Sequence, residues 1–189
     1  MNQEERFFEK DLLLIGAGHT HCIFIKMWAM KKNPSVRVTL INPDPVASYT
    51  GMLPSLIADR VSKSEAQINL FKLCRSIEAR LVLDDVKRID KENSFVECSS
   101  GRKLFFDAIS VNVGSNSIPP IYGLNKYGVS VRPLVKFEEK WREFIQKSVG
   151  SKKIAKITLI GGGIASAELA FSMKIALNKT GCNNSKIVI

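Results

Sequence analysis

The chain has 189 residues, of which 45% are hydrophobic, so it can form one domain with part of a second and is not disordered as a whole. Its 28 Lys and Arg against 18 Asp and Glu give a net charge of +10, but no basic block alternates with aromatic residues, which argues against nucleic-acid binding. The four cysteines form no C-x-x-C pair, which argues against a zinc ribbon or a redox dithiol and favours a reducing cytoplasm.

The N-terminal pattern predicts a βαβ unit. A short buried strand over residues 11–15 leads through a glycine turn into a helix from Gly18 to about Met30. Residues 35–41, SVRVTLI, alternate and are rich in β-branched residues, which predicts a second strand. The two strands of such a unit are parallel and joined by a right-handed connection.

The middle of the chain changes from loop to helix to strands. Three prolines and a glycine predict a loop over residues 42–54, and apolar residues at helical spacing predict a mostly helical segment over residues 64–79. From Arg80 the period changes to that of strands, which predicts a β-meander. We expect its last strand to be buried and to lead to Gly114 and Ser115.

The opening pattern recurs near the end of the chain. A connector over residues 116–132 and an amphipathic helix within residues 133–149 precede it. A strand over residues 154–160, a Gly-Gly-Gly turn and a helix over residues 164–179 then predict a second βαβ unit. Its second strand begins at Lys186, so we expect this unit to be incomplete.

The first glycine turn, LLLIGAGHTHC, has the spacing G-x-G-x-x-H. Gly16 permits a tight turn, Gly18 lets the backbone approach a diphosphate, and the amides at the helix N-terminus face its charge. The third position, normally glycine, is His21. Asn42 stands where many dinucleotide sites place an acid that binds ribose hydroxyls. A Rossmann-like turn that binds no nucleotide is the alternative.

The same stretch raises the question of a metal site. His19 and His21 are two residues apart, so they do not share a helix face as an i, i+4 pair would, and no acidic partner is near them or Cys22. The spacing therefore argues against a metal. We expect His19 to meet a phosphate or the edge of a cofactor, and His21 to pack under the helix.

The second glycine turn, GGGIASAELA, has the spacing G-x-G-x-x-S at Gly161, Gly163 and Ser166. Serine is small, so close packing of the helix is preserved. Glu168 lies one helical step further on. It is either close to the ligand or a solvated carboxylate in the first turn that favours the helix dipole, and the sequence leaves both open.

Two nucleotide-type turns separated by a meander suit a flavoprotein reductase, which binds two dinucleotides. A simple dehydrogenase binds only one. The segments that carry the comparison are LLLIGAGHTH, SYTGMLPSLIA, FFDAISVNVGS and ITLIGGGIASAELA. With these motifs the chain resembles the two-dinucleotide-binding-domain flavoproteins of the pyridine nucleotide-disulfide oxidoreductase superfamily. Within that superfamily it is most similar to type II NADH dehydrogenases and to the oxidoreductases associated with selenophosphate synthase.

This resemblance implies an α/β fold: a Rossmann-like FAD-binding domain with a β-meander, followed by an incomplete second Rossmann-like NAD(P)-binding unit. The implied domains are an N-terminal part of the FAD-binding domain over residues 1–115, a connector and helix over residues 116–150, and the start of an NAD(P)H-binding domain over residues 151–189. Hydride would pass from the nicotinamide to the flavin, which supplies the redox chemistry, and electrons would pass on to a quinone or another acceptor.

The resemblance also implies which residues bind the cofactors. Gly16, Gly18 and His19 are expected around the FAD diphosphate, and Asn42 at the adenosine ribose. Tyr49, Thr50 and Gly51 are expected near the flavin, with Gly114 and Ser115 closing over the cofactor. On the nicotinamide side the expected residues are Gly161, Gly163 and Glu168.

The chain departs from the family in two places. The disulfide-reductase branch carries redox cysteines in a loop comparable to residues 48–54, which contain none here, so direct transfer from flavin to acceptor is preferred to a dithiol relay. The family also has the rest of the NAD(P)H domain and a segment that returns to complete the FAD domain, both absent after Ile189. We therefore expect an N-terminal fragment that is inactive alone.

Two other functions stay open at this point: a non-catalytic nucleotide-binding or assembly module, and a single-dinucleotide NAD-dependent dehydrogenase. The N-terminus lacks the pattern of a secretory signal, and no stretch reaches the roughly 18 apolar residues of a spanning helix. We expect a cytoplasmic protein, with attachment to the inner face of a membrane and homo-oligomerisation left open.

Overall fold

The computed structural model describes residues 8–114, 121–151 and 154–189. The chain forms two compact units. The first takes in the chain up to Ala47 and Ile68–Gly114, and the second takes in Ser48–Gln67 and the chain beyond Gly114. Residues 48–67 therefore pack with the second unit. The domain boundaries at 115 and 150 stay predictions.

The described part of the chain contains eleven strands and six helices. The strands are β1 (Lys10–Ile15), β2 (Val36–Asn42), β3 (Val46–Ser48), β4 (Gln67–Asn69), β5 (Arg80–Leu83), β6 (Val86–Asp90), β7 (Phe95–Cys98), β8 (Lys103–Phe105), β9 (Ala108–Val111), β10 (Lys156–Thr158) and β11 (Lys186–Val188). The helices are α1 (His19–Trp28), α2 (Leu53–Ile57), α3 (Leu70–Arg75), α4 (Leu124–Tyr127), α5 (Leu134–Ser148) and α6 (Ile164–Lys179), and a 3₁₀ turn covers Thr50–Met52.

A four-stranded parallel sheet with the order β5-β2-β1-β9 forms the first unit. Its central strands are apolar because they are covered on both faces, as in other parallel sheets. Helix α1 packs on one face through Ile25, which is fully buried with Leu40 and Leu70 in one apolar cluster. The predicted first βαβ unit and the α/β fold class are confirmed.

The antiparallel sheet β6-β7-β8 is the predicted meander. One part of that prediction is wrong, because the strand after the meander, β9, is not buried: Ala108, Ser110 and Val111 are exposed and Ile109 is half-buried. The reason is its position in the sheet. Among the described residues β9 pairs with β1 alone, so its other edge and its faces are less covered.

The predictions for the segments at 42–54 and 64–79 are wrong in part. The first segment is not all loop, because it holds β3 and the 3₁₀ turn, and α2 begins before it ends. The second is helical only from Leu70, because β4 precedes that residue and the Asn69 side chain accepts a hydrogen bond from the Lys72 amide at 2.9 Å, which caps α3. Upstream, the Ser62 amide donates to the Glu65 carboxylate at 2.8 Å and closes a separate turn.

The second unit packs α2, α5 and α6 around one apolar cluster. That cluster contains Leu53, Ile57, Phe137, Trp141, Leu169, Met173, Ala176 and Leu177. Strands β10 and β11 are parallel, and α6 has the predicted bounds, which confirms the second βαβ unit. The predicted strand over 154–160 is shorter, since only Lys156–Thr158 pair. Over residues 8–114, 121–151 and 154–189, no helix combines the length and apolarity needed to cross a bilayer.

Candidate functional site: two glycine turns

The first glycine turn is held by hydrogen bonds from within its own unit. The Gly16 amide donates to the Ile41 carbonyl at 2.8 Å, the Ala17 amide to Asn42 Oδ1 at 3.0 Å, and the Gly18 amide to the Asn112 carbonyl at 3.1 Å. The turn is thus joined to the ends of β2 and β9. A diphosphate at this turn has to find its donors in the first turn of α1 rather than at these three amides.

Glycine is required at residues 16 and 18 because the chain after β9 crosses close to them. Gly16 has φ +83°, and a Cβ there would lie 2.5 Å from the Asn112 carbonyl oxygen. A Cβ on Gly18 would overlap the Asn112 side-chain amide. The side-chain oxygen of Asn112 is buried without a hydrogen-bond partner among the described residues. The glycine spacing therefore has a packing cause, whether or not a ligand binds at the turn.

The N-terminus of α1 is electropositive and uncapped by side chains. Its N-cap is Gly18, in an extended conformation, and no acidic residue lies in the first turn. The first amides of a helix lack intrahelical acceptors, and the helix dipole adds a partial positive charge at this end. This arrangement fits an anionic group such as a diphosphate.

The two histidines of the first turn lie in different environments. His19 is exposed at the start of α1, whereas His21 is 3% exposed, with Nδ1 2.7 Å from the Gly16 carbonyl oxygen and Nε2 2.9 Å from Ser110 Oγ. The prediction that His21 packs under the helix is confirmed. Cys22 is buried, and its Sγ lies 3.5 Å from the Ala17 carbonyl oxygen. Among the described residues no three His, Cys, Asp or Glu side chains converge as metal ligands would.

Asn42, expected at the adenosine ribose, also holds the turn together. Its Oδ1 accepts from the Ala17 amide, and its Nδ2 donates to the Asp44 carbonyl at 2.7 Å. Its place at the adenosine ribose stays a prediction. Gly114 lies beyond β9 with φ +79° and open space where a Cβ would be, and Ser115 lies outside the described residues.

The second glycine turn has free space around its glycines, whereas the glycines of the first turn are packed against Asn112. A Cβ on Gly162 or Gly163 would have nothing within 4 Å, and Gly161 has φ +123°. Gly163 is the N-cap of α6, with no capping side chain and no acidic residue in the first turn. Glu168 is exposed, as expected for a solvated carboxylate, but it is the fifth residue of α6 and so lies beyond the first turn; its role near a ligand stays a prediction. The open space and the uncapped helix fit a bound nucleotide.

The segment expected near the flavin lies in the second unit. Tyr49 donates its amide to the Ala66 carbonyl at 3.0 Å, Thr50 begins the 3₁₀ turn, and a Cβ on Gly51 would lie 3.1 Å from the Tyr49 ring. These bonds and the packing of Leu53 in the apolar cluster hold the segment in place.

A buried carboxylate that the sequence analysis did not single out lies beside Tyr49. Glu138 on α5 is 6% exposed and lines, together with Tyr49 and Lys63, a cavity of about 10 Å³, room for roughly one water. Its oxygens lie 3.3 Å from Lys63 Nζ and 2.9 Å from Arg142 Nη2. The only signal in the sequence is the i, i+4 spacing of the acid and Arg142, which is common on exposed helices.

Each unit contains parallel strands, a glycine turn and an uncapped helix N-terminus, which are the features of the Rossmann-like class of folds. The sequence model of the pyridine nucleotide-disulphide oxidoreductase family matches residues 10–188, and the chain belongs to this family. That result confirms the superfamily assigned from the motifs. No protein of curated function matches the chain in sequence.

Several solved structures share the fold. The sulfide:quinone oxidoreductase of Aquifex aeolicus is 19% identical, with a TM-score of 0.76, and the match covers 94% of this chain and 42% of that one. NDH2 of Plasmodium falciparum, in complex with NADH, is 20% identical with a TM-score of 0.70, covering 95% and 41% of the two chains. NADH:rubredoxin oxidoreductase of Clostridium acetobutylicum is 19% identical with a TM-score of 0.67, covering 95% and 52%. The chain thus spans about half or less of the length of these relatives.

Proposed function

We propose that the chain is the N-terminal portion of an FAD-dependent NAD(P)H oxidoreductase. The turn before α1 binds the diphosphate of FAD, and the turn before α6 binds that of NAD(P)H. The observation that carries this proposal is that both helices begin at an extended glycine with no capping side chain and no acid in the first turn. A diphosphate is the ligand best matched to such an end.

Each residue group of the two sites then has a specific task. When bound, FAD would supply the redox chemistry between the nicotinamide and the acceptor. The first amides of α1, with His19 at their edge, bind the FAD diphosphate, and Asn42 keeps the turn closed while offering its remaining hydrogen to the ribose. Gly162 and Gly163 leave room for the second nucleotide.

The electron acceptor we propose is a quinone or another external acceptor, reached without a thiol relay. Residues 48–54 contain no cysteine, and three of the four cysteines of the chain, Cys22, Cys74 and Cys98, are buried. The names of similar proteins include a sulfide:quinone and a rubredoxin oxidoreductase, which is consistent with such acceptors. Because the fragment is expected to be inactive alone, the test uses the full-length oxidoreductase loaded with flavin, in which alkylation by iodoacetamide should leave NADH-dependent quinone reduction unchanged. Loss of that activity on alkylation of a native thiol would contradict direct transfer.

A pair of charge variants tests the assignment of one nucleotide to each turn. Thr20 and Ala165 are exposed, and each is the second residue of its helix. An aspartate at either position interacts favourably with the helix dipole and stabilises the helix, but it repels a diphosphate. Thr20→Asp should weaken FAD binding about tenfold and leave NADH binding unchanged. Ala165→Asp should do the reverse, as measured by calorimetric titration of each variant with each nucleotide.

The crossed design separates effects on binding from effects on folding, because each variant is the control for the other. The melting temperature should not fall in either variant. Absence of FAD binding by the unaltered chain, or equal effects of both substitutions on both nucleotides, would contradict the proposal. Binding of NADH alone would point instead to a single-dinucleotide dehydrogenase.

A further inference from the structure

His21 occupies the third position of the first glycine fingerprint, where glycine normally lets the helix approach the strand. The imidazole is 3% exposed, and its two nitrogens contact different elements. Nδ1 lies 2.7 Å from the carbonyl oxygen of Gly16, and Nε2 lies 2.9 Å from Oγ of Ser110 on β9. The side chain therefore connects the first glycine of the turn with the neighbouring strand.

These two contacts determine the tautomer of the neutral ring. A carbonyl oxygen can only accept, so Nδ1 carries the hydrogen and donates it to Gly16. Nε2 then accepts from the hydroxyl of Ser110. A residue that merely filled space under the helix would show no such preference for one tautomer.

We propose that His21 is a positioning residue for the FAD diphosphate, an inference that rests on the proposed function. The amides of the turn are held by β2 and the segment after β9, and His21 holds the Gly16 carbonyl from the helix side. Gly16, with φ +83°, lies where the chain turns toward α1, so a rotation of its peptide would redirect the residues that enter the helix. The imidazole thus fixes the direction in which α1 presents its first amides, without touching the ligand.

Two substitutions separate the two hydrogen bonds. Asparagine places an amide nitrogen at the position of Nδ1 and keeps the bond to Gly16, whereas glutamine reaches the position of Nε2 and keeps only the bond to Ser110. His21→Asn should retain the FAD dissociation constant to within about twofold, and His21→Gln should raise it five- to tenfold, roughly the loss of one net hydrogen bond.

A matched control shows whether a loss of stability by itself weakens FAD binding. Ile25 is fully buried on the same helix, and its side chain makes no hydrogen bond to the turn. Ile25→Val should lower the melting temperature by about 2–4 °C. Its FAD dissociation constant should equal that of the unaltered chain. Equal weakening by His21→Asn and His21→Gln, or weakening by Ile25→Val as large as that by His21→Gln, would overturn the positioning role.

A second measurement needs no FAD, so it keeps this inference distinct from the proposed function. In the ligand-free chain, ¹⁵N spectra of the His21 ring should show hydrogen on Nδ1, and amide exchange at Ala17 and Gly18 should be faster in His21→Gln than in His21→Asn. Hydrogen on Nε2, or equal exchange in the two variants, would overturn the role of His21. Failure of the unaltered chain to bind FAD, with these two results as expected, would instead contradict the proposed function.

Discussion

The Ala17 amide and the Asn42 side chain are joined by a 3.0 Å hydrogen bond that links the turn after β1 to the end of β2. The same asparagine donates to the Asp44 carbonyl at 2.7 Å, so one side chain orders both the glycine turn and the loop that follows β2. Dinucleotide sites often place an acid at this position, which accepts hydrogen bonds but cannot donate one. An amide does both.

Asn42→Ala should lower the free energy of unfolding by about 1–2 kcal/mol, because it leaves the Ala17 amide without its acceptor and the Asp44 carbonyl without its donor. Chemical denaturation measures this change. Asp44→Asn is the control, since it alters an exposed side chain while keeping the main-chain carbonyl, and it should change stability by less than about 0.5 kcal/mol. Equal effects of the two substitutions would show that the Asn42 bonds contribute nothing.

Alanine at Gly18 and at Gly163 should destabilise the fold to different extents, and each should weaken binding of its own nucleotide. The added Cβ overlaps Asn112 at Gly18, which should cost about 1–3 kcal/mol, but it has nothing within 4 Å at Gly163, where the cost should stay below about 1 kcal/mol. If nucleotides occupy the turns, Gly18→Ala weakens FAD binding together with stability. Gly163→Ala weakens NADH binding at nearly constant melting temperature, and unchanged NADH affinity would argue against a ligand at the second turn.

The stability of the chain should fall in alkaline solution through Cys74. Burial, with a smaller contribution from the nearby Cys22, raises the pKa of the Cys74 thiol to about 11 from the ordinary value of 9.0. Between these values the folded chain keeps a proton that the unfolded chain releases, so stability is fully present below about pH 9 and declines as the pH rises toward 11. The loss from this group is at most roughly 3 kcal/mol.

Cys74→Ala isolates that contribution. The stability difference between the unaltered chain and Cys74→Ala, measured by urea unfolding at a series of pH values, should shrink across this interval. Ile77→Val is the comparison, since it alters a buried, non-ionisable side chain of the same apolar cluster, and it should give a curve parallel to that of the unaltered chain. Parallel curves for both variants would show that Cys74 is not protected from ionisation.

Glu138 should contribute more to stability than an exposed acid on the same helix. Glu138→Gln keeps the shape of a buried side chain but removes the ion pairs with Lys63 and Arg142, which should cost about 1–2 kcal/mol because both partner cations are partly solvated. The control is Glu143→Gln, which breaks an exposed pair with Lys140 and should cost less than about 0.5 kcal/mol. Equal losses in thermal unfolding would contradict the assigned burial effect.

Sequence patterns predicted the elements best where local signals agreed. The three glycines before Ile164 and the uninterrupted helix formers up to Lys179 gave the bounds of α6, and the alternation of apolar residues gave the meander. The prediction of a helix over residues 64–79 was wrong in part because the apolar spacing of Leu70, Leu73 and Cys74 does not show where the helix begins. The helix begins after Asn69, whose side chain caps it.

The contacts that hold the first glycine turn in place could not be predicted from sequence patterns. The chain near Asn112 approaches Gly16 and Gly18 only after the sheet has formed, and the fingerprint itself explains both glycines by a ligand. The tie between His21 and Ser110 spans 89 positions and leaves no periodic signal. The burial of His21 was predictable from its place on α1, whereas the partners of its nitrogens were not.

The central claim is that each glycine turn binds one dinucleotide, and amide chemical-shift mapping of the labelled chain tests it most directly. Addition of FAD should shift the resonances of residues 16–22 and leave residues 161–166 unchanged, and addition of NADH should do the reverse. Shifts at neither turn, or shifts at one turn with both ligands, would contradict the claim.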